Sequence, residues 1–433
     1  MNPLKYQSGF GNHFKSEALA HSLPQTQHSP QKVPHGLYAE HISGSSFLAP
    51  RSENLKTWVY RILPSVLHSA EFKEIKMDLF KSAPLENTHT PPTQLRWSPM
   101  SAPKTPTTFI QGLVTFCANG NVQTQQGSAI HLYACNTSME KDFFYNADGD
   151  FLIVPQDGDL FISTELGCLE IKPSEIALIP RGIKFQVKLQ TSFAKGYVCE
   201  NYGKPFQLPT LGVIGANGLA YPEHFLVPEA FYEEVTGDYK IHAKFQGKIW
   251  ECEAHHSPLD VVAWSGNYVP YKYDLTRFQA INTVSFDHPD PSIFTVLTSP
   301  SSDIGMSNVD FVIFPSRWSV AENTFRPPYY HRNLMSEFMG LITGTYDAKP
   351  DGCLPGGASL HNCMTPHGPD TQAYTAACST ELKPSKFDHT LAIMFESRCV
   401  FQVSSFALQS ELLQKDYLKC WQGLNANFKK SKS

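Results

Sequence analysis

Phe151-Leu-Ile-Val154, Asp159-Leu-Phe-Ile-Ser163, Cys168-Leu-Glu-Ile171, Glu175-Ile-Ala-Leu-Ile179 and Ile183-Lys-Phe-Gln-Val187 follow one another with only three or four residues between them, and every gap holds a Gly or a Pro. Runs this short, rich in β-branched and aromatic residues and bounded by turn formers, read as strands rather than helices. Repeated at such regular spacing between Gly112 and Val198, they predict an antiparallel barrel or jelly roll.

Upstream, residues 1 to about 110 are rich in Pro, Ser, His and Asn with an occasional extended run such as Thr57-Trp-Val-Tyr-Arg-Ile-Leu63, which reads as irregular structure wrapping a sheet. Downstream, a region of about 200 to 280 is interrupted by Pro205, Pro209, Pro222, Pro228, Pro258 and Pro270, with a short helix expected near Pro228-Glu-Ala-Phe-Tyr-Glu-Glu234. Short strands resume at Ser292-Ile-Phe-Thr-Val-Leu297, Val309-Asp-Phe-Val-Ile-Phe314, Phe338-Met-Gly-Leu-Ile342 and Leu391-Ala-Ile-Met-Phe395, and Ser410 to Leu418 is the best amphipathic helix candidate. A chain of 433 residues exceeds what one core usually serves. The expected organisation is all-β with few helices: an N-terminal β-barrel domain with wrapping segments over 1–280, binding no metal, and a second barrel over 281–433 that carries the site.

Net charge is -5, and Lys and Arg are scattered except for a short tail from Lys429 to Lys432, so there is no nucleic-acid footprint. No apolar run approaches the roughly 18 residues needed to span a bilayer, and Met1-Asn-Pro-Leu-Lys-Tyr-Gln7 has no apolar signal region, so a cytoplasmic protein is expected. The 10 cysteines are spread singly, with no Cys-x-x-Cys pair, as in a reducing compartment.

Chemistry concentrates in Arg326-Pro-Pro-Tyr-Tyr-His331-Arg-Asn-Leu-Met-Ser-Glu337-Phe-Met-Gly340 and Thr365-Pro-His367-Gly-Pro-Asp370. Two imidazoles and a carboxylate are the facial ligand set of a non-haem Fe(II) oxygenase. His331 and Glu337 would stand roughly 20 Å apart on one strand and point apart on one helix. A hairpin reversing between Arg332 and Ser336 would set them opposite each other, about 5 Å apart. His367, between Pro366 and Gly368, suits a chain reversal; His361 is the competing third ligand, and Cys363 reads as packing because a soft thiolate suits zinc or copper better. Any single His or Glu in a large protein is most often a structural or surface group. The aromatic and apolar neighbours Tyr329, Tyr330, Phe338 and Met339 favour a pocket for a planar substrate instead.

These blocks, together with Tyr6 to Phe14, Phe286-Asp-His-Pro-Asp-Pro-Ser-Ile-Phe294, Phe314 to Trp318 and Leu354 to His361, resemble the homogentisate 1,2-dioxygenase family from the first residues to about 410. The resemblance implies an Fe(II) enzyme that opens homogentisate with O2 to 4-maleylacetoacetate in tyrosine and phenylalanine breakdown, as a hexamer built from trimers. It implies metal ligands at His331, Glu337 and His367, an acid/base histidine at His288 and substrate contacts by Tyr346, with His361 and His367 beside the substrate. From the residues alone, His288 reads more readily as a cap of the Asp287 to Pro291 turn, and the bland reading of Tyr346 is a half-buried strand tyrosine. Ile179-Pro-Arg-Gly-Ile-Lys184 is similar to a cupin strand-turn segment in which a histidine often ligates metal, but the position holds Lys184, hence the expectation of a cupin-like double barrel whose first barrel is metal-free. Two rival classes remain. A metal-dependent cupin isomerase would need no O2, but metal-binding cupins usually show a His-x-His pair that His331 lacks, and a non-catalytic bicupin has no use for this ligand set.

Overall fold

Strands covered on both faces can be apolar at every position, and the stretch around residue 151 folds this way. Asp150–Asp157 is buried along most of its length and lies inside a nine-stranded sheet. The order there is Tyr6–Ser8, Phe225–Pro228, Tyr271–Asp274, Glu175–Ile179, Asp150–Asp157, Ala194–Asn201, Gln126–Cys135, Leu113–Asn121, Gln402–Val403. A seven-stranded sheet contains Gly167–Ile171, Leu160–Thr164 and Phe185–Leu189, so the expected run of strands is present, its last member starting two residues later than Ile183. Its pairings are antiparallel except that of Asp142–Asn146 with Thr236–Phe245. A four-stranded sheet carries Lys56–Arg61, and a six-stranded sheet orders Thr295–Pro300, Ser307–Ser319, Ser385–Ser397, Ser336–Thr343, Ala358–His361 and Leu95–Trp97. This computed structural model describes residues 3–68, 70–86, 89–210, 219–282, 285, 287–346, 348 and 352–429; Phe286 of a motif quoted above and residues 430–433 of the basic tail lie outside them.

The protein is all-β. Among the described residues the α-helices are Thr371–Ser379, capped by Asp370 accepting from the Ala373 amide, and Ser405–Gln409, capped by Ser404. Neither is long and apolar enough to cross a membrane. Both helices expected from the sequence are corrected. Phe225–Pro228 is a strand, and the following backbone bonds to distant partners, Glu229 N–H to Lys5 O and Glu233 N–H to Leu259 O, instead of four residues back. Within 410 to 418 the backbone at Leu412 and Gln414 is likewise claimed by the segment at Arg96 to Ser98, where Ser98 N–H donates to Leu412 O and Gln414 N–H to Arg96 O, each at 2.8 Å, and only a short 3-10 helix, Tyr417–Trp421, follows. Amphipathic spacing loses to tertiary pairing here.

One core runs through both halves. Trp97, 1% exposed, stacks toward Phe338 at 6.3 Å and donates to Ala407 O at 2.7 Å, joining early, middle and late segments. Tyr197 from the nine-stranded sheet reaches across to donate to Gly357 O at 2.7 Å. A Cβ on Gly340 would stand 2.7 Å from the Tyr197 ring, so this contact between the sheets requires glycine there.

The first half also buries ionised groups. Lys244 pairs with Glu200 and, at 3.1 Å, with Asp148, while His131 lies 3.1 Å from the second Glu200 oxygen and Asn146 donates to Glu200 at 2.7 Å. Burial works against the Glu200 charge, but the Lys244 ammonium and the His131 bond outweigh it and bring the carboxyl from 4.5 down to about 2. A depressed folded pKa gives stability that is fully present above the unfolded value and is lost as pH falls through the folded one. Acid unfolding curves should therefore lose this contribution between about pH 4.5 and pH 2. Lys244→Met, which strands Glu200 and Asp148, should cost about 3–5 kcal/mol in denaturant titration; a loss under 1 kcal/mol would show that the pair is not formed.

Candidate metal centre

Glu337 enters the site from Ser336–Thr343, His361 closes Ala358–His361, and His331 and His367 lie on connecting segments. The two histidines are brought together by main chain. His331 N–H donates to His367 O at 2.9 Å and His367 N–H to His331 O at 3.0 Å, an isolated antiparallel bridge. Met364 N–H donates to Asn333 O at 2.7 Å and ties the same segments again. The hairpin expected between Arg332 and Ser336 is therefore corrected: His331 pairs with His367, whereas Glu337 pairs with His361 and with Glu396. The segment turns sharply enough to bring His331 and Glu337 together without cross-strand register.

The ligand atoms of His331, Glu337 and His367 all lie within 4.8 Å of one another. His367 Nε2 is 2.9 Å from Glu337 Oε2, and His331 Nε2 is 3.6 Å from Glu337 Oε1. Donors about 2.1 Å from one ion, at right angles, stand about 3 Å apart, so the spacing fits a facial set. The tautomers fit too. His331 Nδ1 lies 2.8 Å from Tyr329 O and His367 Nδ1 3.0 Å from Thr365 O, and carbonyls can only accept, so both rings carry their proton on Nδ1. Two Nε2 lone pairs then face a carboxylate, an arrangement that repels unless a cation sits among them.

His361 stacks on His367 at 4.1 Å and 10°, and its Nε2 is 2.9 Å from the Tyr417 hydroxyl, which directs that nitrogen away from the triad. A cavity of about 450 Å³ opens at the triad, lined also by His288, Tyr346, Phe294, Phe314 and Arg317. His288 Nδ1 is 2.8 Å from Pro289 O, which makes Nε2 its basic nitrogen. Tyr346 packs edge-on to Phe314 at 6.1 Å; its neighbour Asp347 lies outside the described residues. Two of the four expected wall residues are corrected: Phe338 alternates to the opposite face of its strand and packs against Trp97, and Tyr330 turns toward Tyr374, leaving Tyr329 and Met339 on the cavity. Sequence reasoning missed Asn333, Glu396 and Tyr417. Glu396 follows directly on the expected strand Leu391–Phe395, and only cross-strand register reveals where it points. Burial first, then the Glu337 charge, raise its carboxyl to about 7.

Among the described residues one other group has metal-ligand spacing, His68, His256 and Asp260. His68 and Asp260 in this group are already engaged. Arg61 holds Asp260 Oδ1 at 2.6 Å and faces His68 Nδ1 at 3.3 Å, while His68 Nε2 meets Leu63 O at 3.0 Å. A larger groove of about 1000 Å³ passes Ser82, Gln246 and Ser404 and contains neither metal-ligand group.

The family model described as homogentisate 1,2-dioxygenase N-terminal matches residues 5–275, and its C-terminal companion matches 276–428. The chain is 54% identical over 427 residues to a homogentisate 1,2-dioxygenase of Rhodopseudomonas palustris, covering 99% of this chain and 95% of that one. To the protein of the same name from Rhizobium etli it is 53% identical over 430 residues, with the same coverage. Among solved structures, a Bacillus subtilis oxalate decarboxylase overlaps with a TM-score of 0.30 at 10% identity, over 74% of this chain and 80% of that one. A cupin 2 conserved barrel domain protein from Leptotrichia buccalis gives 0.28 at 9%, over 62% and 83%. These two overlaps are too slight to bear on the site.

Proposed function

The chain belongs to the homogentisate 1,2-dioxygenase family, and from that premise we propose that His331, Glu337 and His367 hold a ferrous ion beside which homogentisate is opened by O2 to 4-maleylacetoacetate, a step of tyrosine and phenylalanine breakdown. The observation that carries the reading is the pair of imidazoles whose Nδ1 protons are spent on carbonyls while both Nε2 atoms converge on Glu337. When bound, Fe(II) would supply a Lewis acid for the phenolate oxygen and the electrons that O2 requires.

The chain's own groups do the rest. A phenol with an ordinary pKa of about 10 has to lose a proton, and His288 Nε2, on the cavity wall, is the acceptor. Tyr346 offers its phenol to a substrate oxygen, and Tyr329, Met339 and Phe314 give the ring an apolar wall that excludes water. His361 backs His367 through the ring stack and fixes its plane. We place the division between a first, catalytically metal-free domain and a second, iron-bearing one near residue 280, and by the family pattern the assembly is a cytoplasmic hexamer built from two trimers.

The test is anaerobic loading with Fe(II), followed by homogentisate in air, with O2 uptake and the near-ultraviolet absorbance of the ring-opened product recorded together. One O2 consumed per product formed is the expected result. No uptake by iron-loaded protein would show that the substrate is wrong.

A further inference from the structure

We propose that Glu396 is a positioning residue for the Glu337 carboxylate, acting through the side-chain amide of Asn333 that the two acids share. The inference rests on the reading of His331, Glu337 and His367 as the metal site and extends it to a residue outside the ligand set.

Strand Ser385–Ser397 lies next to Ser336–Thr343, and Glu396 is the direct antiparallel partner of Glu337. Directly opposed residues project to the same face, and like charges in that position destabilise a sheet. The conflict is relieved by Asn333, whose Nδ2 donates to Glu337 Oε1 at 2.8 Å and to Glu396 Oε1 at 2.6 Å. An amide nitrogen has two N–H donors, and both are used. The other end of the amide is fixed as well: Met335 N–H donates to Asn333 Oδ1 at 2.9 Å, which settles which end is oxygen. The Asn333 backbone carbonyl is pinned by Met364 N–H at 2.7 Å.

Glu396 therefore completes a three-point clamp on one amide. That amide holds Glu337 Oε1 while Oε2 faces His367 Nε2 at 2.9 Å. Without an acceptor at 396, one N–H of Asn333 is left unsatisfied in a half-buried place and the amide can swing, releasing the rotamer that aims the carboxylate at the imidazoles. Groups that orient a metal ligand in this way typically contribute 10–100-fold in metal affinity.

The test compares Fe(II) affinity of the full chain, by anaerobic chelator competition, in wild type, Glu396→Leu, Glu396→Gln and Asn333→Ala, with Tm recorded for each. Glu396→Leu and Asn333→Ala are expected to weaken binding by about 10–100-fold. Glu396→Gln, whose side-chain carbonyl accepts the same bond, should stay close to wild type. Glu396→Leu combined with Asn333→Ala should be no worse than either alone, because both break one clamp. If Glu396→Leu does not fold, Asn333→Ala against Glu396→Gln carries the same comparison. Wild-type affinity in Glu396→Leu or Asn333→Ala, or equal losses in Glu396→Gln and Glu396→Leu, would overturn the proposal. A wild-type chain that binds no iron would instead overturn the metal site on which it rests.

Discussion

His367→Ala is expected to leave a folded protein that holds no iron and opens no ring. The His367 side chain provides one of the converging Nε2 atoms and approaches Glu337 within 2.9 Å. Its removal leaves one imidazole and one carboxylate, too few for a facial set. The loss should not spread to the fold, because the bridge between residues 331 and 367 is made by main-chain atoms that alanine retains. Truncating a buried ring stacked at 4.1 Å on His361 should cost about 1–3 kcal/mol, less than the roughly 5–15 kcal/mol by which folded proteins are stable. The same result is expected for His331→Ala and Glu337→Ala. Metal content by elemental analysis, Tm and O2 uptake on the same samples decide the matter: near-normal turnover in any one of the three variants removes that residue from the ligand set.

His288→Gln separates proton transfer from metal binding. His288 lines the cavity but does not belong to the group of converging ligand atoms. The variant should therefore retain iron at wild-type stoichiometry while kcat falls by about 10²–10⁴-fold, the usual worth of a positioned general base. Glutamine can still donate to a carbonyl, as the Nδ1–H of His288 does to Pro289 O, so the local turn should survive. Loss of metal in this variant would place His288 among the ligands instead, and unchanged kcat would return it to the role of a turn cap.

The strands around residue 151 were legible because each is short, mostly apolar and closed by Gly or Pro, and Glu175–Ile179 forms as expected. The grouping of the candidate ligands was legible as well: His331, Glu337 and His367, picked out in short motifs, come within 4.8 Å of one another. Their geometry was not. The sequence offers Glu337 a hairpin partner six residues away, yet its partners are His361 and Glu396, because strands distant in sequence pair on either side of it. For the same reason Glu396 and Tyr417 carry no local signal, since their positions depend on which strands and segments pack side by side. The helix expected at 410–418 fails likewise: its apolar periodicity is real, but Leu412 and Gln414 bond to the backbone around Trp97.

Whether one ferrous ion binds among His331, Glu337 and His367 can be seen by anomalous scattering from crystals of the anaerobically iron-loaded protein, recorded on both sides of the iron edge. A single iron peak per chain is expected, among the two Nε2 atoms and the Glu337 carboxylate. A peak among His68, His256 and Asp260 with none at the triad would overturn this assignment.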